Sequence, residues 1–190
     1  FENNKREDFQ MRKKTFSVLM VLAVLATSAF AIKVGDMDIA YKNVAAGKEY
    51  YYNTVEPSGG YADPDNVKLT DGLFGWNWGH MAGFNSSEET AEIEIDLGKK
   101  QPIVGISVLN MLSTCSGVKL PLGYEVEVST DGNKFTKVAD LKCHPEEPKD
   151  EVFHHWFAEF NEVEAQYVRI IVKLTTGSWV MIPEVFVWAK

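Results

Sequence analysis

Only two cysteines occur in the 190 residues, so any covalent cross-link reduces to one bond between Cys115 and Cys143. No stretch shows the 3.6-residue periodicity of an amphipathic helix, and no segment repeats, which argues against helical bundles and solenoids. Basic residues are in deficit, 19 Lys and Arg against 27 Asp and Glu, for a net charge of −8. Nucleic acid and anionic membranes both require a basic surface, so neither is an expected partner. The chain carries no phosphate-binding loop, nucleophile elbow, zinc-finger spacing or Cys-His nucleophile signature. Carboxylates are plentiful, yet none stand out as a pair at hydrolase spacing. The sequence therefore supports no catalytic role.

What is present begins with an export signal. Arg12-Lys13-Lys14 is a positive n-region, Phe16 to Ala26 is an apolar run, and Ala29-Phe30-Ala31 is a small-residue cleavage site. The apolar run is shorter than the roughly 20 residues a spanning helix needs. No cysteine follows the cleavage site to take a lipid. Residues 11–31 thus read as a cleaved signal peptide, with Ile32 the mature N-terminus and no membrane insertion after cleavage. Phe1–Gln10 precede Met11, the only sensible initiator, and read as lying outside the native protein. Residues 32–190 number 159, suited to one domain with a proper core, and carry a net charge near −10 once five Lys/Arg and three Asp/Glu are removed. The expected location is secreted, periplasmic or at the cell surface.

Within that domain the sequence alternates in short runs. Tyr124-Glu-Val-Glu-Val-Ser129 and Lys134–Val138 flank Asp131-Gly132, a strong hairpin signal. Phe135 and Val138 are an odd number apart, so the second strand should carry a bulge or shift register before Leu141. Ala91–Leu97 alternates strictly, Ile103–Leu109 is β-branched and apolar, and Val152–Phe160, Tyr167–Leu174 and Val180–Trp188 complete the strand set. Many short strands separated by Gly, Pro and Asp turns predict an all-β antiparallel sandwich. The last strand ends two residues before the C-terminus, and no attached catalytic domain is expected.

Antiparallel connections sort the loops by end. Turns at 98–102, 131–133 and 161–165 are short and polar. Loops 76–89, 110–121, 143–150 and 175–179 are expected together at the opposite end, and hold most of the Trp, His, Asn and Lys left unexplained by a core. Binding residues on such scaffolds concentrate in loops of this kind. The hairpin also brings the segments bearing Cys115 and Cys143 to this end, so a disulfide is plausible in an oxidising compartment, with two free thiols the alternative in a reducing one. His154 and His155 are adjacent on a strand, point to opposite faces, and cannot share a metal easily.

Asn43-Val44-Ala45, Leu69-Thr70-Asp71-Gly72, Ile95-Asp96-Leu97-Gly98, Tyr124–Ser129, Asp131-Gly132, Phe135, Tyr167-Val168-Arg169 and Ile182-Pro183-Glu184-Val185 occur in order. This series resembles the discoidin domain (coagulation factor V/VIII type C), close to the family 32 carbohydrate-binding modules. The resemblance covers roughly residues 41–187. It implies a jelly-roll β-sandwich of the galactose-binding-like type. It also implies one structural Ca²⁺, held by Asp71 and Glu184 with main-chain carbonyls between Gly72 and Trp78. Such a shell suits Ca²⁺, which takes six to eight oxygens. The residue-level alternatives are an Asp-Gly turn for Asp71 and a solvated strand position for Glu184.

By the same resemblance the ligand is carbohydrate, with His80 and Asn110 at the family's polar ligand positions, although relatives commonly carry Arg where Asn110 stands. Asn lacks the bidentate fork of Arg, so galactose-type recognition does not transfer directly. A sugar also needs a flat aromatic surface. Trp76, Trp78, Phe84 and Trp179 are candidates, and Lys119 joins them by loop position. The competing reading packs Trp76 and Trp78 on one strand face in the core. The rival partner is an extracellular protein, engaged through the same loops.

Overall fold

Alternation does much of the work in this chain. In the computed structural model, which describes residues 32–34, 37–39, 41–85, 87–144 and 147–190, Ala91, Ile93, Ile95 and Leu97 are fully buried while Glu92 and Asp96 are partly exposed. The export signal and Phe1–Gln10 lie outside the described residues. The strands are β1 (Ile32–Val34), β2 (Met37–Ile39), β3 (Lys42–Asn43), β4 (Glu49–Tyr52), β5 (Ala82–Phe84) and β6 (Thr90–Leu112). They continue with β7 (Gly123–Ser129), β8 (Thr136–Asp140), β9 (Lys142–His144), β10 (Val152–Lys173), β11 (Val180–Ile182) and β12 (Val185–Ala189). Single 3₁₀ turns at Gly59–Tyr61, Trp78–His80 and Thr114–Ser116 are the helical elements among the described residues.

The organising element is a ribbon of two long strands, and the hairpin lies to one side of it. β6 and β10 pair antiparallel from Thr90↔Lys173 to Leu112↔Val152. Gly98 at φ +81°, and register shifts between Glu159 and Val163 and between Ala165 and Tyr167, interrupt the ribbon midway. The expected turns at 98–102 and 161–165 are therefore irregularities inside continuous strands rather than hairpin ends. The first half of β6 and second half of β10 pair with β4 and β7, and β8 follows β7 at the edge. The second half of β6 and first half of β10 pair with β12 and β9, and β3 follows β12. Ile93, Ile95, Val126 and Ile170 from one half share a single apolar cluster with Ile106, Val108, Val185 and Val187 from the other. This is the expected antiparallel sandwich. Burying each such side chain contributes about 1.5–3 kcal/mol.

The expected bulge is present: Val126 faces Ala139 but Glu127 faces Lys137, leaving Val138 unpaired. The predicted single strand Val180–Trp188 is divided, because Pro183 cannot donate to a ladder. β11 pairs β5, whereas β12 pairs β6.

The disulfide is a correction. Cys115 and Cys143 are both free thiols. Cys143 pairs with Trp156 of β10, while the Cys115 Sγ lies 3.2 Å from Glu151 Oε1, in the turn that leads into β10. From Val152 to Trp156 the strand alone runs about 13 Å at ~3.3 Å per residue, well beyond disulfide reach.

Candidate functional site

The long loops converge as the antiparallel connections predict. The Trp179 amide donates to Gly117 O and the Lys119 amide to Trp179 O, joining loops 113–119 and 175–179, and Thr175 Oγ1 donates to Leu120 O. The Ser58 amide donates to Gly83 O, so the turn 58–61 lies against β5. Gly83 is required there: a Cβ would fall 2.6 Å from Tyr61 Cβ and 2.8 Å from Met181 Sδ. The Tyr61 ring then meets Trp179 edge-on at 5.1 Å and Trp78 at 6.3 Å.

Beneath these rings Met81, Met111, Val118 and Met181 form a second apolar cluster, with Tyr61, Trp78, Phe153 and Trp179 packed over it. Trp76 stands outside, 58% exposed, with its ring 5.5 Å from Phe153. Trp76 and Trp78 are thus neither strand neighbours nor equivalent. Trp78 opens the 3₁₀ turn Trp78–His80 and braces the floor, while Trp76 offers an open face. Asn77 shapes the turn: its Oδ1 accepts from the Gly79 amide at 3.0 Å and its Nδ2 lies 3.0 Å from His80 Nε2. With Nδ2 donating, Nε2 accepts and the His80 proton sits on Nδ1. His80 is half-buried and Lys119 is exposed.

Asn110 is a correction. It is fully buried, its Nδ2 donating to Met181 O at 3.0 Å and its Oδ1 accepting the Tyr124 hydroxyl at 2.6 Å. Both ends of the amide are occupied within the protein, so it ties β6 to β7 and β11 and presents nothing to a ligand. Phe84 likewise is fully buried, edge-on to Tyr52 at 5.7 Å. Sequence reasoning missed Tyr61 and Phe153. A Tyr within the Gly-rich turn segment Ser58–Tyr61 was the available signal for the first; Phe153 is indistinguishable in sequence from its aromatic strand neighbours.

The carboxylates of Asp71 and Glu184 flank Gly72. Glu184 is 1% exposed and its Oε2 accepts from the Gly72 amide at 3.1 Å. Asp71 is exposed and accepts from the Leu73 amide at 2.7 Å. Burial, reinforced by the Asp71 charge, pushes the Glu184 carboxyl up to about 9. A buried carboxyl with one backbone donor and a like-charged neighbour is under-compensated, which a cation would relieve. Gly72 and Gly75, at φ +76° and +147°, give the following loop the freedom to turn its carbonyls. Among the described residues no group of three or more His, Cys, Asp or Glu is placed to hold a metal, so further ligands would be carbonyls or water. The donor set fits Ca²⁺. Nearby, buried Asp63 accepts the hydroxyls of Tyr50 and Tyr52 and the amides of Val67 and Lys68, anchoring the approach to this loop.

A β-sandwich with aromatic-rich loops gathered at one end defines a class of ligand-binding domains. The F5/8 type C domain family matches residues 49–185, and the chain belongs to that family. A search of curated proteins found no match. Among solved structures, the chain is similar to chitosan-binding module 1 from the chitosanase/glucanase of Paenibacillus sp. IK-5 (16% identity, 77% of this chain, 98% of that one, TM-score 0.57). Module 2 of that enzyme, solved with chitotriose, is similar at 18% identity (77% and 100% covered, TM-score 0.53). The module CpGH89CBM32-5 from Clostridium perfringens, solved with GalNAc-β-1,3-galactose, is similar at 20% identity (78% and 100% covered, TM-score 0.58). These likenesses establish the galactose-binding-like fold.

Proposed function

We propose that this protein is an exported, non-catalytic carbohydrate-binding module. The observation that carries the reading is Trp76: an indole left 58% exposed yet braced by Phe153, at the end of the sandwich where the long loops meet. An indole face held rigid by a second ring gives a sugar's C–H surface something to stack on with little entropy left to lose. His80 and Lys119 supply polar groups at the rim, and Trp78, Trp179 and Tyr61 hold the floor. The relatives solved with chitotriose and GalNAc-β-1,3-galactose support glycan as the ligand class. Asp71 and Glu184 would hold Ca²⁺ with carbonyls of the Gly72–Trp78 stretch, neutralising the buried charge and fixing the loop that bears Trp76. The n-region, apolar run and cleavage site at residues 11–31 support export.

A second reading, an adhesion module for an extracellular protein, has one observation in its favour. Val67, Leu73, Phe74 and Trp76 are each at least half exposed along one ten-residue stretch.

The test is a glycan array including chitooligosaccharides and galactosides, probed with and without a calcium chelator. Trp76→Ala and His80→Ala should each weaken binding at least tenfold while the protein stays folded. No glycan bound by a calcium-loaded, folded protein would overturn the reading in favour of a protein partner.

A further inference from the structure

His155 has a partner that the sequence order hides. β9 and β10 pair antiparallel with His155 directly opposite His144. Opposed residues on neighbouring strands share a face, with Cβ atoms about 4.5–5.5 Å apart. Both side chains are exposed.

The neighbouring candidates fall away by alternation. Cys143 lies one residue along and points to the other face, as does His154, which is fully buried with Nε2 2.8 Å from Lys149 O. His144 lies on the edge strand β9 and His155 on β10 beside it; Leu109 of β6, opposite His155, donates its amide to Glu184 O, so the pair is separated from Glu184 by the width of β6.

We propose that His144 and His155 form a surface chelate for one divalent transition-metal ion of borderline softness, of the Zn²⁺, Ni²⁺ or Cu²⁺ kind. Imidazole nitrogens bind such ions at about 2.0–2.1 Å, and two rings on adjacent strands reach one ion without moving the backbone. Ca²⁺ is excluded here, because it takes oxygen ligands. Two protein ligands leave the remaining positions to water. The structural consequence falls on β9, a three-residue strand at the sheet edge whose named pairing is to β10 alone. A metal across the pair clips that edge to the ribbon.

The experiment is calorimetric titration of the untagged full chain with Zn²⁺ at pH 7.5. One equivalent should bind, and His144→Ala or His155→Ala should each weaken it at least tenfold. Cys115→Ser should leave it unchanged, since the exposed thiol beside Glu151 is the obvious rival ligand. Both nitrogens must be unprotonated, so lowering the pH to 5.5 should weaken binding. Absence of Zn²⁺ binding at 100 μM, binding that survives in both histidine variants, or its loss in Cys115→Ser would overturn the proposal. Circular dichroism of the variants checks that these exposed substitutions leave the sandwich intact.

Discussion

At the scale of single residues, neighbours in sequence divide between scaffold and surface. Trp76→Ala removes an exposed ring and should change stability by less than about 0.5 kcal/mol, as surface substitutions do. Trp78→Ala uncovers the methionine floor and should cost roughly 2–3 kcal/mol, toward the low end for a large aromatic because the ring is only half-buried. Urea denaturation of both variants checks the contrast; equal losses would mean that Trp76 too is packed. Asn110→Leu abandons the buried Tyr124 hydroxyl and should cost about 1–3 kcal/mol. In the hairpin, Asp131 Oδ1 accepts the amides of Asn133 and Lys134 and the Ser129 hydroxyl, which holds its carboxyl below the usual aspartate range. A carboxyl with a lowered folded pKa contributes stability that is full above about 4 and lost as pH falls through the folded value. An NMR titration should place the Asp131 midpoint below ~3.9, and a midpoint above it would deny these bonds their role.

Among elements, what the sequence revealed depended on how local the determinant is. The hairpin bulge at Val138 followed from the parity of Phe135 and Val138, and the strand faces of β6 followed from alternation. The gathering of loops followed from counting antiparallel turns. The continuity of β6 through Gly98–Pro102 did not: a glycine at φ +81° and a proline look the same in a hairpin turn as in a bent strand, and only the pairing of β10 with both halves separates them. Asn110 was misjudged for a related reason. Polar residues at strand ends are rim ligands or buried ties according to what crosses beneath them, and Tyr124 and Met181 lie 14 and 71 residues away. The loop Asp71–Trp78 is the element where the site reading can be tested on stability. If it closes on Ca²⁺, saturating calcium at about a hundredfold above its dissociation constant adds about 2.7 kcal/mol. Chelation should then lower the melting temperature by roughly 5–10 °C for a domain of this size. Asp71→Asn and Glu184→Gln should each abolish the difference, and identical melts with and without chelator would remove calcium from the account.

For the whole molecule, the question is what holds the sandwich together without a cross-link. The core supplies the answer: one apolar cluster spans both layers, with Tyr50, Phe84, Leu97, Ile103 and Ile106 each at most 1% exposed. A native disulfide in a domain of this kind typically contributes about 2–5 kcal/mol, a loss easily seen on removal. With the two sulfurs held on separate parts of β10's neighbourhood, no such loss should occur. Cys115→Ser combined with Cys143→Ser should melt within about 2 °C of the parent. The thiols should also differ from one another. Cys115 is exposed, whereas burial pushes the Cys143 thiol up and keeps less of it as thiolate. Because the thiolate is the reactive form, an aromatic disulfide reagent should label Cys115 quickly and Cys143 slowly in the native protein, and both at one rate in denaturant. No free thiol in the denatured protein, together with a large drop in melting temperature for the double variant, would show that the two loops meet in a bond and that the end of the sandwich closes more tightly than the free thiols allow.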